Sequence, residues 1–512
     1  MNAPETLPKQ QKRSQGRAIW PKIPAGFVRA VLAGHSALGL AFAALIYLVC
    51  LSGTVAVFIQ EFERWERPAA TPLTQVSPDA IQAALETAAA ELNGPIEHAY
   101  ITLPRPGFPR FELHAETEGH AEERGWLFNA EGHILSDAST PWSDFLARLH
   151  IYLHLPQAWG MFIVGLTGVA LLSSLISGLF AHPRVFKDAF SLRIGGSKRL
   201  QEADIHTRIG IWGLPFHIII SLTGALLGLL TIIAAVLALV LFKGDVNKAY
   251  DYFLPPHPPE DTTPAPLPDL PAMLARVSEA APATTPRYIF LEHPNERGQS
   301  TLITASRPHR LSRGDNFYFD SSGSLIRADR LDEATLGERI FGVLAPLHFG
   351  WFGGVLVKLA YGVLGLGLTL VTVSSVSVWL ARRRDKGRPA PRWERIWIAC
   401  IWSQPLAYSA SGIAALLAPA SASAFTIVAV WLLATLLALG TAALWPAKIV
   451  SARLRLASGA LLLCLPAIHA AMNGAHTSDP MAWIVNACLA ATGLVLIASV
   501  LKRGAGETPR PA

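Results

Sequence analysis

Residues 149–156 read LHIYLHLP and lead straight into an apolar run that begins near Trp159. His150 and His154 stand four residues apart, so on a helix both imidazoles lie on one face, one turn above the other. Whether the run they border is a soluble core or a membrane span decides the fold, and the rest of the chain answers. Of 512 residues, 51% are hydrophobic and only 16% charged, with a mean hydropathy of +0.35. That is too apolar for an ordinary soluble protein of this length.

A spanning helix needs about 20 mostly apolar residues. Eight stretches qualify, near 34–59, 159–181, 209–241, 353–380, 396–418, 424–444, 456–472 and 481–501. The chain therefore reads as a polytopic α-helical membrane protein with about eight transmembrane helices. Lys and Arg mark the cytoplasmic side. They crowd the tail 1–33, the connections 182–208 and 381–395, the segment from Lys448 to Arg455, and the tail 502–512. All of these fall on one side when both termini are cytoplasmic. The long loops 61–148 and 243–347 hold most of the acids and lie on the other side. The net charge of +6 is thus a topology signal and not a nucleic-acid footprint.

The first apolar run ends in Gln60-Glu61 without a small-residue cleavage site, so it reads as a retained anchor. Cys50, Cys400, Cys464 and Cys488 all fall inside expected spans, which leaves the exported loops without a disulfide framework or CxxC chemistry. Any electron chemistry needs a bound cofactor.

Residues 34–181 and 209–380 read as one unit used twice: span, exported loop, span. His35, Gly39 and Gly53 recur as His206, Gly210 and Gly224, while His154, Gly160 and Gly168 recur as His348, Gly354 and Gly362. Functional sites of duplicated membrane proteins tend to lie between the repeats. Each loop holds one small α+β module, at about 62–148 and 268–345. In the first, SPDAIQAALETAAAEL is a helix capped by Ser77 with Pro78 in its first turn. HAYITL, RFELHAE and GWLFNAEGHIL follow as strands, the last turning at 129–132. The second repeats this order with LPDLPAMLARVSEA, RYIFLEH, STLITAS and NFYFDSSGSLI, after an extended Pro-rich linker at 254–268. The last four spans, 396–501, form a separate bundle.

Seven histidines border the first four spans: His150, His154 and His348 on the exported side, and His35, His182, His206 and His217 on the other. Ionisable groups at membrane depth default to a functional hypothesis. The HIYLH segment lacks the Glu of a zinc-peptidase helix, and no CxxCH attaches haem covalently. Non-covalent b-type haem, with one axial histidine from each of two helices, remains. His182 reads first as a helix cap or interfacial residue rather than a ligand, and His206 also reads as a loop end. His98, His114, His120, His133, His257, His293, His309, His469 and His476 read as surface residues. RIGGSK (193–198) lacks the spacing of a phosphate loop, so an electron donor must be external.

HSALGLAF (35–42), SGTVAVFIQEFERW (52–65), LHIYLHLPQAWG (149–160), AHPRVFKDAFSLR (181–193), DIHTRIGIWGLPFH (204–217) and LHFGWFGGVLVKLAYGVLGLGL (347–368) resemble the PepSY-associated transmembrane family. The likeness covers about residues 27–385. Better-studied members are ferric-siderophore reductases and related iron-uptake proteins of the bacterial inner membrane. The resemblance implies a periplasmic PepSY module in each loop and two b haems held by histidines of the four spans. It further implies electrons passed from a quinol or cytoplasmic reductase to a ferric siderophore or other ferric chelate, with a periplasmic binding protein as a possible partner. Carried onto this sequence, it pairs His154 with His348 near the periplasmic face, with His150 as the alternative. His35 pairs with His217 or His206 near the cytoplasmic face; depth puts His217 first, and the repeat favours His206. Lys358 reads as a snorkelling cation, or in the sharper reading as the partner of a haem propionate. Two other functions stay open: a membrane-anchored PepSY binding protein without redox activity, and a siderophore or metal permease using the last four spans.

Overall fold

A computed structural model describes residues 24–120, 122–181, 198–245, 248, 261–307, 311, 314–418 and 424–505. Most of the basic tail 1–33, much of the 182–208 connection with His182, and the start of the Pro-rich linker lie outside these residues.

In the first half, α1 (Ala25–Ala41) and α2 (Ala43–Ala56) meet at Phe42 with a bend of 67°. α3 (Ile59–Glu66), α4 (Pro78–Glu91), strands β1 (Ile96–Thr102), β2 (Phe111–Thr117), β3 (Glu123–Phe128) and β4 (Ile134–Asp137), and helices α5 (Pro141–Tyr152) and α6 (Gln157–Ala181) follow. The second half repeats this order. α7 (Lys198–Trp212) and α8 (Leu214–Gly228) are bent by 70° at Gly213. Pro215 explains that break, because it offers no N–H to the Ile211 carbonyl. Next come α9 (Leu230–Leu241), α10 (Leu270–Ala280), β5 (Thr285–Glu292), β6 (Ser300–Ser306), β7 (Asp315–Phe319), β8 (Leu325–Asp329), α11 (Leu336–Phe349) and α12 (Gly354–Asp385). A last set, α13 (Pro391–Leu417), α14 (Ala424–Leu444), α15 (Ala447–Asn473) and α16 (Pro480–Ala505), forms the C-terminal bundle.

Local chemistry sets the module boundaries. Ser77 accepts the Ala80 N–H to start α4, Asp269 does the same for Ala272 in α10, and Thr335 with Glu338 closes a capping box on α11. The β3–β4 turn needs Gly132 at φ +85°, where a Cβ would also sit 2.4 Å from the Ala80 carbonyl oxygen.

The modules differ from expectation in one respect: they are not separate. All eight strands form one antiparallel sheet in the order β4-β3-β2-β1-β5-β6-β7-β8. β1 and β5 pair edge to edge, with His98 opposite Glu292 and Thr102 opposite Tyr288. A meander of four strands would otherwise leave an edge of unpaired N–H and C=O groups. Both modules share one core, in which Ile101, Leu113, Ile289 and Ile303 pack with Leu85 of α4 and Leu274 of α10.

Five helices, α6, α12, α14, α15 and α16, are long and apolar enough to cross a bilayer, and seven spans result when each bent pair counts as one. The chain is a multi-pass membrane protein. The eighth expected span, 396–418, lies in α13, which falls short in apolar character because it carries buried Ser403, Gln404, Ser409 and Ser411. The C-terminal bundle docks on the first half. Trp65, Trp142 and Phe145 pack with Tyr408, Ile427, Leu465 and Val485. Asp479, with 0% side-chain exposure, accepts from Arg64 at 2.7 and 2.8 Å and from Arg110 at 2.5 Å. His469 is a buried residue and not a surface one. Its ring stacks on Trp65 at 4.4 Å, and its Nε2 donates to the Trp65 carbonyl at 2.7 Å.

Candidate functional site

The structure brings four histidines together as two pairs. His35 of α1 faces His206 of α7 with ring centres 6.4 Å apart, and His150 of α5 faces His348 of α11 at 6.2 Å. Each pair joins one half of the repeat to the other. Two imidazoles on opposite sides of one metal ion, each nitrogen about 2.0–2.1 Å from it, place their ring centres roughly 6 Å apart. The observed spacing fits that geometry. The planes differ by 71° in the first pair and 13° in the second.

The other nitrogen of each ring is held in the same way four times. His35 Nδ1 meets the Ser174 carbonyl at 2.9 Å and Ser177 Oγ at 3.3 Å. His206 Nδ1 meets the Val371 carbonyl at 3.0 Å and Ser374 Oγ at 3.1 Å. His150 Nδ1 meets the Val49 carbonyl at 3.1 Å and Ser52 Oγ at 3.2 Å. His348 Nδ1 lies at 3.1 Å from Thr223 Oγ1 and is directed toward the Ile220 carbonyl. A carbonyl only accepts, so Nδ1 carries the proton and Nε2 keeps the lone pair that a metal needs. In each case a neighbouring helix supplies a carbonyl, a hydroxyl three residues on, and then a small residue. The small residue is Gly178, Ser375, Gly53 or Gly224. A Cβ on Gly53 would stand 2.6 Å from His150 Cε1, and one on Gly224 2.8 Å from His348 Cε1. These positions are small because the imidazole occupies the place of the side chain. The repeated hydroxyl-then-small pattern, SG, SG, TG and SS, is the signal in the sequence that could have found them.

Around His35 and His206 lies an apolar cavity with about 1360 Å³ of empty space, part of it open to the surroundings. Leu171, Trp379 and Arg382 line it, as do Gly39 and Gly210 one turn beyond the two histidines. Beyond the helix's own backbone, no atom lies within 4 Å of where a Cβ on either glycine would be. The two bare helix faces leave room for a flat group beside the rings.

The remaining candidates lie elsewhere. His154, first choice as the partner of His348, sits past the end of α5. Leu153 and His154 both take left-handed backbone angles there, with φ +57° and +54°. Its ring stacks on Phe145 at 4.9 Å and its Nε2 donates to the Phe145 carbonyl at 2.9 Å, so it braces the corner between α5 and α6. His217, first choice as the partner of His35, is fully buried in α8. Its nitrogens lie toward the Gly210 and Leu364 carbonyls without reaching hydrogen-bond geometry. Lys358 pairs with Glu61, both oxygens at 2.8 Å, and with Gln60 at 3.3 Å.

The repeat register along α6 and α12 also differs from the one read from spacing, and it places His150 opposite Leu347, one residue before His348. The left-handed caps Leu153 and Gly350 are equivalent, and aligned on them Gly165 answers to Gly362 and Gly168 to Gly365. Gly168 packs on Ala225 as Gly365 packs on Thr54. The matches of Gly160 with Gly354 and Gly168 with Gly362, read from spacing alone, are not the structural ones.

Beside the sheet-side pair, α3 and the start of α5 carry acids. Burial, then the Glu112, Asp144 and Glu66 carboxylates, pushes Glu63 up to about 8. Burial likewise raises Glu66 to about 7, although it caps α5 by accepting from the Trp142 and Ser143 N–H groups and the Ser143 hydroxyl.

Residues 32–382 match the profile of the PepSY-associated TM region. The chain belongs to the PepSY-associated transmembrane family. Over 256 residues it is 30% identical to an uncharacterized protein of Pseudomonas aeruginosa, a match that covers 48% of this chain and 64% of that relative. Both histidine pairs and all four carbonyl–hydroxyl cradles fall inside the PepSY-associated region. The C-terminal bundle lies beyond it.

Proposed function

We propose that this PepSY-associated membrane protein holds two b-type haems and carries electrons across the bacterial inner membrane to a ferric siderophore or another ferric chelate in the periplasm. The observation that carries the reading is the fourfold recurrence of one histidine environment, paired at about 6 Å between the repeats. His35 and His206 would hold one haem and His150 and His348 the other. When bound, haem would supply a one-electron couple, and its retention by two imidazoles would suit electron transfer over oxygen chemistry.

The chain's own residues do the rest. The Ser174, Val371 and Val49 carbonyls fix the tautomer and orientation of His35, His206 and His150, and the Thr223 hydroxyl holds His348. Gly39 and Gly210 clear the slot, and Arg382 at its edge offers a cation for a propionate. A hydrocarbon core about 30 Å thick is a long gap for one cofactor, so a pair near each face shortens it. Lys358 is committed to Glu61, which leaves the propionate role to other cations. The donor would be a quinol or a cytoplasmic reductase. Loss of chelate affinity on reduction of the hard ferric ion would release the metal.

The test uses the full chain purified from haem-replete cells. Reduced-minus-oxidised spectra should show about two low-spin b haems per chain. In proteoliposomes with reductant on one side only, a ferric chelate on the other side should yield Fe(II). A colourless protein ends the proposal and favours a tethered binding protein; iron uptake into vesicles without reductant favours a permease.

A further inference from the structure

We infer that the seam between the two sheet modules is a binding site for a divalent first-row transition ion, built from Glu118, His293 and Glu296. One ligand atom from each of the three lies within 4.8 Å of the others. Glu118 sits in the Glu118–His120 turn after β2, and His293 and Glu296 in the loop after β5, so an ion there would tie the first module to the second. The proposal does not depend on haem.

Two observations point to a cation. Glu296 is 6% exposed, and its carboxylate lies against that of Glu118, so two acids crowd one buried point with no guanidinium or ammonium of the described residues between them. Its one ionic neighbour is His293 Nδ1 at 3.6 Å, which is too long for a hydrogen bond. His293 Nδ1 is itself buried without a hydrogen-bond partner. A buried imidazole nitrogen without a partner, gathered with two like-charged carboxylates about one point, forms an arrangement that proteins avoid unless something fills it. No Lys or Arg forms an ion pair with Glu118 or Glu296 among the described residues.

The backbone is built to hold this geometry. His293 takes φ +47°, a left-handed angle that a non-glycine residue keeps only where its surroundings impose it. Its N–H donates to the Glu97 carbonyl at 2.7 Å, while the Glu97 carboxylate accepts from the Gly119 N–H at 2.9 Å, so one residue of β1 fixes both halves of the site. Glu296 N–H donates back to the His293 carbonyl at 3.0 Å, and Arg297 N–H to Thr263 at 2.8 Å. His98, its Nδ1 2.6 Å from Glu116 Oε1, packs 6.2 Å from the His293 ring and walls one side. One imidazole with two carboxylates selects the Mn²⁺, Fe²⁺, Zn²⁺ class over soft Cu(I), which prefers thiolates, and over Ca²⁺, which prefers oxygen alone. Metal–ligand bonds of about 2.0–2.2 Å require the three side chains to draw inward by rotation about their own bonds.

Mn²⁺ is the probe, titrated into the EDTA-washed full-length protein in detergent and followed by loss of the free-ion EPR signal. One saturable site per chain is expected. Glu118→Gln and His293→Ala should each weaken it by about tenfold or more, while Glu131→Gln on the β3–β4 turn leaves it unchanged. The Glu118 side chain is exposed and meets only the Glu296 carboxylate, a contact that glutamine can keep, so its variant should elute and melt in EDTA like the wild type. Absence of saturable binding, or binding that survives both substitutions, would overturn the inference, the first result being that of two carboxyls sharing a proton.

Discussion

Gly39 and Gly210 offer a test that separates ligand binding from folding. Each lies one turn beyond a paired histidine, lines the cavity, and has open space where a side chain would begin. Leucine at both sites meets no protein atom within 4 Å at its Cβ. It raises helix propensity by about 0.8–1 kcal/mol per site. The haem-free double variant should therefore melt no lower than wild type. The same side chains enter the slot beside His35 and His206. Overpacking typically costs about 1–3 kcal/mol, which is on the order of ten- to a hundredfold in affinity at about 1.4 kcal/mol per tenfold. Haem per chain, measured as the pyridine haemochrome alongside a thermal melt, should fall to about half, with the His150–His348 centre still low-spin. Full haem content with an unshifted spectrum in a well-folded double variant would refute the assignment of that cavity.

Other substitutions read other parts of the molecule. His150→Ala should remove about one haem of two, whereas His154→Ala should lower the melting temperature through lost packing on Phe145 and leave the spectrum intact; the opposite pattern would restore His154 as a ligand. Asp479→Ala strands two guanidinium groups at the bundle interface. A cost of about 3–5 kcal/mol is expected, seen as early loss of the C-terminal bundle in limited proteolysis. Glu66 gives a pH test. Its folded value of about 7 lies above the ordinary carboxyl value of 4.5, so the unfolded chain releases this proton first as pH rises. Its contribution to stability should be lost progressively between about pH 4.5 and 7 and stay lost above. Glu66→Gln should melt at a less pH-dependent temperature than wild type across pH 5–8, and parallel curves would sink the argument.

Much of the organisation was legible in the residues because it rests on local rules. Ser77 and Pro78 announce α4, the 129–132 turn announces a hairpin, and the apolar runs announce spans. The paired histidines were visible as a set, but their partners were not. Spacing put His154 opposite His348 through the matches of Gly160 with Gly354 and Gly168 with Gly362. The left-handed step at Leu153 ends α5 first, so His150 remains on the helix facing α2 while His154 turns back onto Phe145. Depth put His217 opposite His35. The bend at Gly213 separates His217 from the face that carries His206. His469 looked like a surface residue because nothing near it in sequence announces Trp65.

By itself, then, the sequence determined the membrane class, the doubled span–module–span order and the residue types available for the chemistry. Periodicity, capping and charge placement are properties of neighbouring residues. Tertiary structure alone decided that the two modules share one sheet, that the C-terminal bundle clamps onto the first half, and which histidine faces which. Those depend on backbone pairing between distant strands and on two helix bends that rotate whole faces. A single residue in the left-handed region, which no apolar period reveals, was enough to exchange one imidazole for another.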